Sequence, residues 1–246
     1  MVKSIVLSEP FGQLSNQLIQ HLHLASCCKA RNIKFVNVYL NNFSEYYPNF
    51  NPPNYRIFRV LIWIIRSLRS VRLISHNLDN SKIVARIKNS NNSFNILFVK
   101  GWGFRANYEV FLYADIFKEL FKPKINLLDL EMLKLNLNSN KTKIAIHIRR
   151  KDYAMWKGGR YYFQDPEYID IMIRVYNLFE ENVQFVIFTD SPSLDLSVFK
   201  QQFPTITKSR NPIFEDHFLM SKCDFILGPP STVSGWASFL GNKPCY

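Results

Sequence analysis

The sequence predicts an α/β protein made of two domains, each with a parallel sheet covered by helices. Short apolar runs alternate with longer stretches of helical spacing, beginning with Ser4–Leu7 and Leu14–Ala30. This alternation is typical of parallel strands that are joined by crossover helices. A polar, turn-rich stretch, Leu137–Thr142, interrupts it and indicates a boundary. We therefore expect a Rossmann-like N-terminal domain over residues 1–138 and a Rossmann-like C-terminal domain over residues 139–246.

The remaining elements follow from the same periodicity. In the first half it predicts two more strands and one more helix, at Lys34–Leu40, Ile96–Lys100 and Tyr108–Phe121. In the second half it predicts three strands, at Lys143–Ile148, Gln184–Thr189 and Phe225–Leu227. Four helices are expected around these strands, at Pro166–Glu180, Leu194–Phe203, Glu215–Lys222 and Val233–Leu240.

The composition is that of a globular protein with an excess of positive charge. Hydrophobic residues make up 47% of the 246 residues, and the formal net charge is +12. Such a charge indicates an anionic partner, which is a nucleotide diphosphate, a membrane surface or nucleic acid. No apolar run reaches the roughly 18 residues that a membrane-spanning helix needs. The four cysteines fit no metal-ligand spacing, so we expect a cytoplasmic protein with reduced thiols.

One apolar segment, Arg56–Ile74, contains five arginines and bears on the choice of partner. It is either a helix that lies on the anionic inner face of a membrane or a packed helix whose arginines extend into water. We favour the packed helix because ordinary amphipathic helices are more common. A nucleic-acid surface would interleave basic and aromatic residues on one face, whereas these arginines have Ile, Leu and Trp as neighbours in helical phase, so we expect no nucleic-acid partner.

A cluster of charged residues follows the predicted strand Lys143–Ile148. Ligands of α/β sheets bind beyond the carboxyl ends of the strands, and an arginine there can hold a phosphate through two hydrogen bonds. Strand alternation puts His147 and Arg149 on one face of the sheet and Arg150 on the other. We expect Arg149 to bind an anionic ligand. An ion pair of Asp152 with Arg149 or Arg150 would close the turn, and we expect structural roles for Arg150 and Asp152.

The loop after the first strand is suited to a close approach of the backbone to a ligand. Gly12 allows a tight turn, and Ser15 or Asn16 can supply hydrogen bonds where the next helix starts. A helix N-terminus at this point favours a negatively charged ligand. A plain N-capped helix explains the same residues equally well.

Two further strand ends carry polar groups in the second half. Thr189 and Asp190 stand at the end of the strand Gln184–Thr189, and one of these two side chains is expected to point into the same cleft. Ser231 and Thr232 open the last predicted helix, where hydroxyl and backbone N–H groups together form an anion site. Ser231 also fits a simple N-cap, and both interpretations can hold at once.

These motifs together resemble glycosyltransferase family 11, the α-1,2-fucosyltransferases, and the wider group with α-1,6- and protein O-fucosyltransferases. The resemblance rests on a His-x-Arg-Arg-x-Asp element, a Gly-x-x-x-Asn-Gln loop, a Leu-Met-Ser-x-Cys element and a Ser-Thr-x-Ser element. They stand at His147–Asp152, Gly12–Gln17, Leu219–Cys223 and Ser231–Ser234. The four elements occur in the order that is usual in the family.

The resemblance implies a GT-B fold, in which two Rossmann-like domains face a cleft. It implies an inverting, metal-independent transfer of fucose from GDP-fucose to a glycan hydroxyl, as in cell-surface glycan biosynthesis, with no cofactor. Arg149 and His147 would be catalytic. The donor would be bound by Arg149, Arg150, Asp152, Asp190, Ser231 and Thr232 of the C-terminal domain. The acceptor-side domain would line the cleft with Gly12, Asn16 and Gln17.

Departures from the family pattern, such as Lys151 in the charged motif, leave the acceptor and the linkage open. A different nucleotide-sugar donor is one alternative, and an inactive relative that binds a nucleotide or a glycan is another. An inverting transfer often needs a general base to take the proton of the acceptor hydroxyl. Four residues are candidates for this base, namely Glu9, Asp115, Asp152 and His147.

Overall fold

The computed structural model describes residues 4–51, 60, 64, 96–124, 132, 134–137 and 139–246. They belong to two compact units, Met1–Lys122 and Pro123–Tyr246, and each unit has its own parallel sheet. The α/β class that the alternation predicts is therefore confirmed. The segment Arg56–Ile74 lies outside the described residues except for two positions, so its membrane interpretation stays a prediction. No helix in the described part of the chain is both long and apolar enough to span a membrane.

The first unit is built on three parallel strands in the order β2–β1–β3. These strands are β1 (Ser4–Leu7), β2 (Lys34–Val36) and β3 (Ile96–Val99). Its described helices include α1 (Leu14–Ala30), α2 (Asn107–Leu112) and α3 (Ala114–Leu120), with a short 3-10 helix at Tyr39–Phe43. Ile5 and Leu7 of β1 pack against Leu24 of α1, so the sheet and its first crossover helix share one core.

Two elements of the first unit differ from the sequence prediction. The strand predicted at Lys34–Leu40 ends at Val36, because the Asn37 side chain accepts a hydrogen bond from the backbone N–H of Tyr39 at 3.0 Å and turns the chain. The helix predicted at Tyr108–Phe121 is broken into α2 and α3, because the backbone of Tyr113 leaves the helical region.

The second unit is built on four parallel strands in the order β6–β5–β4–β7. These strands are β4 (Thr142–Ile148), β5 (Val183–Thr189), β6 (Thr207–Lys208) and β7 (Phe225–Leu227). Its described helices include α4 (Asp165–Leu178), α5 (Ser197–Gln202), α6 (Ile213–Ser221) and α7 (Thr232–Gly241). Along β4, Ile146 packs with Met172 of α4, whereas Ala145 packs with Met220 of α6 on the other face. Helices thus cover both faces of this sheet.

The division between the units falls at Lys122–Pro123, earlier in the chain than the predicted boundary after residue 138. The reason is hydrophobic packing: Leu135 and Leu137 are buried in the core of the second unit together with Ala145. The polar stretch Leu137–Thr142 therefore lies inside the second unit rather than between the units.

The strand order of each sheet reverses beside its first strand. In the first unit β1 lies between β2 and β3, and in the second unit β4 lies between β5 and β7. The carboxyl ends of strands at such a reversal border a crevice, which is where α/β proteins bind their ligands. We call the residues that follow β1 and β3 the first switch point, and those that follow β4 and β7 the second switch point.

Candidate active site

Arg149 leaves the end of β4 at the second switch point, and three side chains fix its guanidinium group. Its Nη2 donates a hydrogen bond to Oδ1 of Asp152 at 2.7 Å, and its Nε lies 3.3 Å from Oδ2 of Asp190. The guanidinium carbon lies 4.7 Å from the ring centroid of Tyr153. The cation is therefore held in one plane, with only 14% of its side chain exposed.

Arg150 points to the opposite face of the sheet, as strand alternation predicts. Its guanidinium donates hydrogen bonds to the carbonyl oxygen of Phe163 and to the carboxylate of Asp165 at the start of α4. It also lies over the Tyr168 ring, at 5.5 Å from the centroid. Arg149 rather than Arg150 thus forms the ion pair with Asp152, and Arg150 ties the strand end to α4.

The two carboxylates of the site act on the arginines. Oδ1 of Asp190 accepts a hydrogen bond from the backbone N–H of Arg150 at 2.8 Å, while its Oδ2 faces Arg149. Asp152 is bound to Arg149 in the same turn. A carboxylate repels a phosphate, so this geometry suits Asp152 and Asp190 to orienting Arg149 more than to touching an anionic ligand.

His147 is buried in β4, on the face of the sheet that α7 covers. Its Nδ1 lies 3.3 Å from Oγ of Ser234 in α7. Burial lowers the pKa of His147 to about 3, and the positive charge of Arg149 acts in the same direction. The imidazole is therefore neutral at pH 7 and only weakly basic, which argues against His147 as the general base and favours a positioning role.

The loop between β7 and α7 is packed tightly on the end of β4. A Cβ atom at Gly228 would lie 2.5 Å from the backbone oxygen of His147, so only glycine fits there without a shift. Ser231 caps α7, and its Oγ accepts a hydrogen bond from the backbone N–H of Val233 at 3.2 Å. Thr232 is the first residue of the helix. The positive end of the α7 dipole thus lies at the second switch point.

Tyr153 connects the two halves of this site. Its ring lies beneath Arg149, and its hydroxyl donates a hydrogen bond to the carbonyl oxygen of Pro230 at 2.5 Å, immediately before α7. The sequence does not single out this residue, because nothing in the local pattern joins Tyr153 to a loop so far along the chain. Its only signal is its place directly after the charged motif.

The predicted residues of the first unit contact one another around the start of α1. Gly12 has a φ of 63°, and a Cβ atom there would clash with the amide of Asn16 at 2.2 Å. Nε2 of Gln17 donates a hydrogen bond to the carbonyl oxygen of Gly12 at 3.0 Å. The positive φ and the clash with Asn16 both require glycine at position 12. The lining of a cleft by these three residues stays a prediction.

The four candidate general bases have different surroundings. Glu9 follows β1, and its Oε2 lies 3.4 Å from Nζ of Lys100. Asp115 is fully exposed on α3, and Asp152 is bound to Arg149. With His147 buried, the candidates at strand ends are Glu9 and Asp152. The described residues hold no group of three or more His, Cys, Asp and Glu side chains that could bind a metal ion.

The site therefore presents a fixed guanidinium beside a capped helix N-terminus, an arrangement that can bind a diphosphate. The sequence matches the profile of glycosyl transferase family 11 over residues 76–245. The chain belongs to this family. It is thus a glycosyltransferase, and the arrangement at the second switch point belongs to an enzyme that transfers a sugar. No curated protein matches the sequence.

Solved fucosyltransferases have a similar fold. The fucosyltransferase NodZ from Bradyrhizobium is 14% identical, with a TM-score of 0.63 over 98% of this chain and 92% of that chain. POFUT1 in complex with GDP is 10% identical, with a TM-score of 0.56 over 98% and 96%. FUT1 from Arabidopsis thaliana, in complex with GDP, is 11% identical, with a TM-score of 0.58 over 100% and 70%. The GT-B fold implied by the resemblance is confirmed.

Proposed function

We propose that this family 11 enzyme transfers fucose from GDP-fucose to a hydroxyl of a glycan acceptor, with inversion at the sugar carbon and without a metal ion. The observation that carries this proposal is Arg149, which is fixed by two carboxylates and an aromatic ring beside the start of α7. The choice of donor is supported by two fold neighbours, since NodZ was soaked with GDP-fucose and POFUT1 was crystallised with it. The proposed linkage is α-1,2, as the family resemblance implies.

The chemistry follows from where charge develops. The acceptor oxygen attacks the fucose C1 on the face opposite the diphosphate, and the bond from C1 to the β-phosphate oxygen breaks. The acceptor loses its proton to a base, and GDP leaves with an additional negative charge. In this proposal Arg149 and the backbone N–H groups at the start of α7 stabilise that charge, so the cationic role of a metal ion is filled by the protein.

The other residues have supporting roles in the proposed reaction. Ser231 and Thr232 hold phosphate oxygens at the helix start, while Asp152 and Asp190 keep Arg149 in its plane. Arg150 holds the strand end to α4, and His147 holds it to α7. A planar guanidinium that is fixed before the donor arrives loses little freedom on binding, which favours the transition state.

Calorimetry with GDP in excess EDTA tests the donor and the metal together. We expect the same dissociation constant with and without EDTA, because Arg149 supplies the positive charge. Loss of binding in EDTA would show that a metal ion is needed. Thermal unfolding with GDP-fucose, GDP-mannose, UDP-sugars and CMP-sugars then ranks the donors, because a ligand at 100 times its Kd adds about 2.7 kcal/mol to the free energy of unfolding.

Two further measurements separate an active enzyme from an inactive relative. Release of GDP from GDP-fucose in the absence of an acceptor reports donor cleavage by water, and an inactive relative binds GDP without this release. With an acceptor, NMR of the product reports the anomeric configuration and the linked carbon. Retention at the fucose C1 would contradict the proposed inversion.

A further inference from the structure

Two aromatic rings stack at the first switch point. Phe11 follows β1 and Trp102 follows β3, and their ring centroids lie 5.2 Å apart with an angle of 17° between the planes. Phe11 remains 42% exposed, so the pair is not part of the core that Ile5 and Leu7 form behind the sheet. A flat apolar surface therefore lies at the position where an α/β sheet binds its ligand.

The loop that carries Trp102 is held by hydrogen bonds on both sides. Nε2 of Gln20 donates to the carbonyl oxygen of Gly101 at 2.6 Å, and the backbone N–H of Ala106 donates to Nδ1 of His23 at 3.0 Å. The guanidinium of Arg105 donates to the carbonyl oxygen of Trp102 at 2.5 Å and lies 4.5 Å from its ring centroid. The rings are thus placed before a ligand binds, which lowers the cost of binding.

The charged side chains around the rings already have partners within the first unit. Nζ of Lys100 lies 3.4 Å from Oε2 of Glu9, which joins the ends of β3 and β1 by an ion pair. Arg105 turns its guanidinium towards carbonyl oxygens of its own loop. The surface suits a neutral ligand with an apolar face, whereas an anion would find its positive groups already occupied.

We propose that the Phe11–Trp102 pair is a platform for a neutral pyranose ring of the acceptor glycan. One face of a pyranose carries several C–H bonds with partial positive charge, and an aromatic face is negative, so the two stack. The sugar lies on the outer face of Phe11, and Trp102 supports that ring from behind. The inference rests on the proposed function, for which it names an acceptor subsite, and it requires only residues of the first unit.

The test uses lactose and cellobiose as probes. Saturation-transfer NMR detects their binding, and titration measures the dissociation constant. In the wild-type protein, saturation is expected on the C–H protons of one sugar face. Phe11→Ala should weaken the binding about tenfold, which is the loss of one stacking contact. Phe11→Tyr keeps the ring and should keep the affinity. Phe111→Ala removes an exposed phenylalanine of α2, which is 78% exposed, and should change nothing.

Donor measurements keep the two proposals apart. Phe11→Ala should bind GDP with the wild-type dissociation constant and cleave GDP-fucose in water at the wild-type rate. Its KM for the acceptor should rise about tenfold. Failure of GDP-fucose cleavage in the wild-type protein would contradict the proposed function. The platform is overturned if neither probe binds, if Phe11→Ala binds the probes as tightly as Phe111→Ala does, or if GDP displaces the probes from Phe11. Thermal midpoints confirm that each variant is folded.

Discussion

The two switch points have the same topology and opposite chemistry. At the first, the residues after β1 and β3 form a stacked aromatic pair beside the ion pair of Glu9 with Lys100. At the second, the residues after β4 and β7 place a guanidinium beside the start of a helix. A parallel sheet therefore determines where a ligand binds, and the few residues that follow its strands determine which ligand it is.

This difference matches the two substrates of a glycosyl transfer. A diphosphate needs a fixed positive charge, and it is stabilised most when the donors do not move during the reaction. A neutral sugar needs a rigid apolar face, because its hydroxyl groups exchange water for protein at little net gain. Substitutions that remove one component of the second switch point test this difference.

The largest effect is expected at the second switch point for Arg149→Lys. Lysine keeps the positive charge but loses the planar group that Asp152, Asp190 and Tyr153 orient. We expect turnover to fall by about two to three orders of magnitude, the range for loss of one preorganised donor. The measurement is the initial rate of fucose transfer at saturating donor, with the thermal midpoint as a check on folding.

Arg150→Lys is the matched control for that variant. Its guanidinium binds Asp165 and the carbonyl oxygen of Phe163, so the change should cost about 1–2 kcal/mol of folding free energy and little turnover. Near-normal transfer by a folded Arg149→Lys enzyme, with a large loss in Arg150→Lys, would reverse the two assignments.

A smaller effect is expected from glycine replacement, which tests how closely the second switch point is packed. Gly228→Ala puts a Cβ atom 2.5 Å from the backbone oxygen of His147, and overpacking of this kind costs about 1–3 kcal/mol. Gly235→Ala is the matched control within α7, where a Cβ atom meets nothing within 4 Å. That change should stabilise the protein by up to about 1 kcal/mol, because alanine favours a helix. Chemical denaturation measures the free energy of unfolding of both variants. Equal midpoints would mean that the loop before α7 shifts at little cost in free energy.

The sequence predicts those parts of the fold and site that depend on short-range patterns. Periodicity locates β4, β5 and β7 of the second unit to within a residue, and strand alternation correctly separates Arg149 from Arg150. Contacts that depend on packing cannot be predicted from these patterns. Asp165 meets Arg150 because α4 returns to the sheet there, and Phe11 meets Trp102 because β1 and β3 are neighbours in space.

Contacts of this kind also explain where the structure differs from the sequence prediction in other parts of the chain. Residues 34–40 look like one strand, but a side-chain hydrogen bond of Asn37 competes with the sheet and ends it. The edge strand β6 has two residues, which is too short for any alternation. Polarity predicts a boundary after residue 138, whereas Leu135 and Leu137 are buried in the core of the second unit.

The smallest effect is expected for Tyr153→Phe, which separates the two contacts of this residue. The variant keeps the ring beneath Arg149 and removes the hydroxyl, with its hydrogen bond to the carbonyl oxygen of Pro230 at 2.5 Å. A neutral hydrogen bond of this kind contributes about 1 kcal/mol. The loop before α7 should loosen, so we expect the KM for GDP-fucose to rise about fivefold while turnover stays within about twofold.

The outcome decides how the second switch point holds its two halves together. Tyr153→Leu also removes the ring, so it should lower turnover as well, because Arg149 loses the surface that fixes its plane. Tyr108→Phe, at an exposed tyrosine of α2, is the control and should match the wild type in both constants. If Tyr153→Phe lowers turnover with an unchanged KM, the hydroxyl acts on the transition state. Tyr153 would then be a residue that contacts the donor rather than one that orients Arg149.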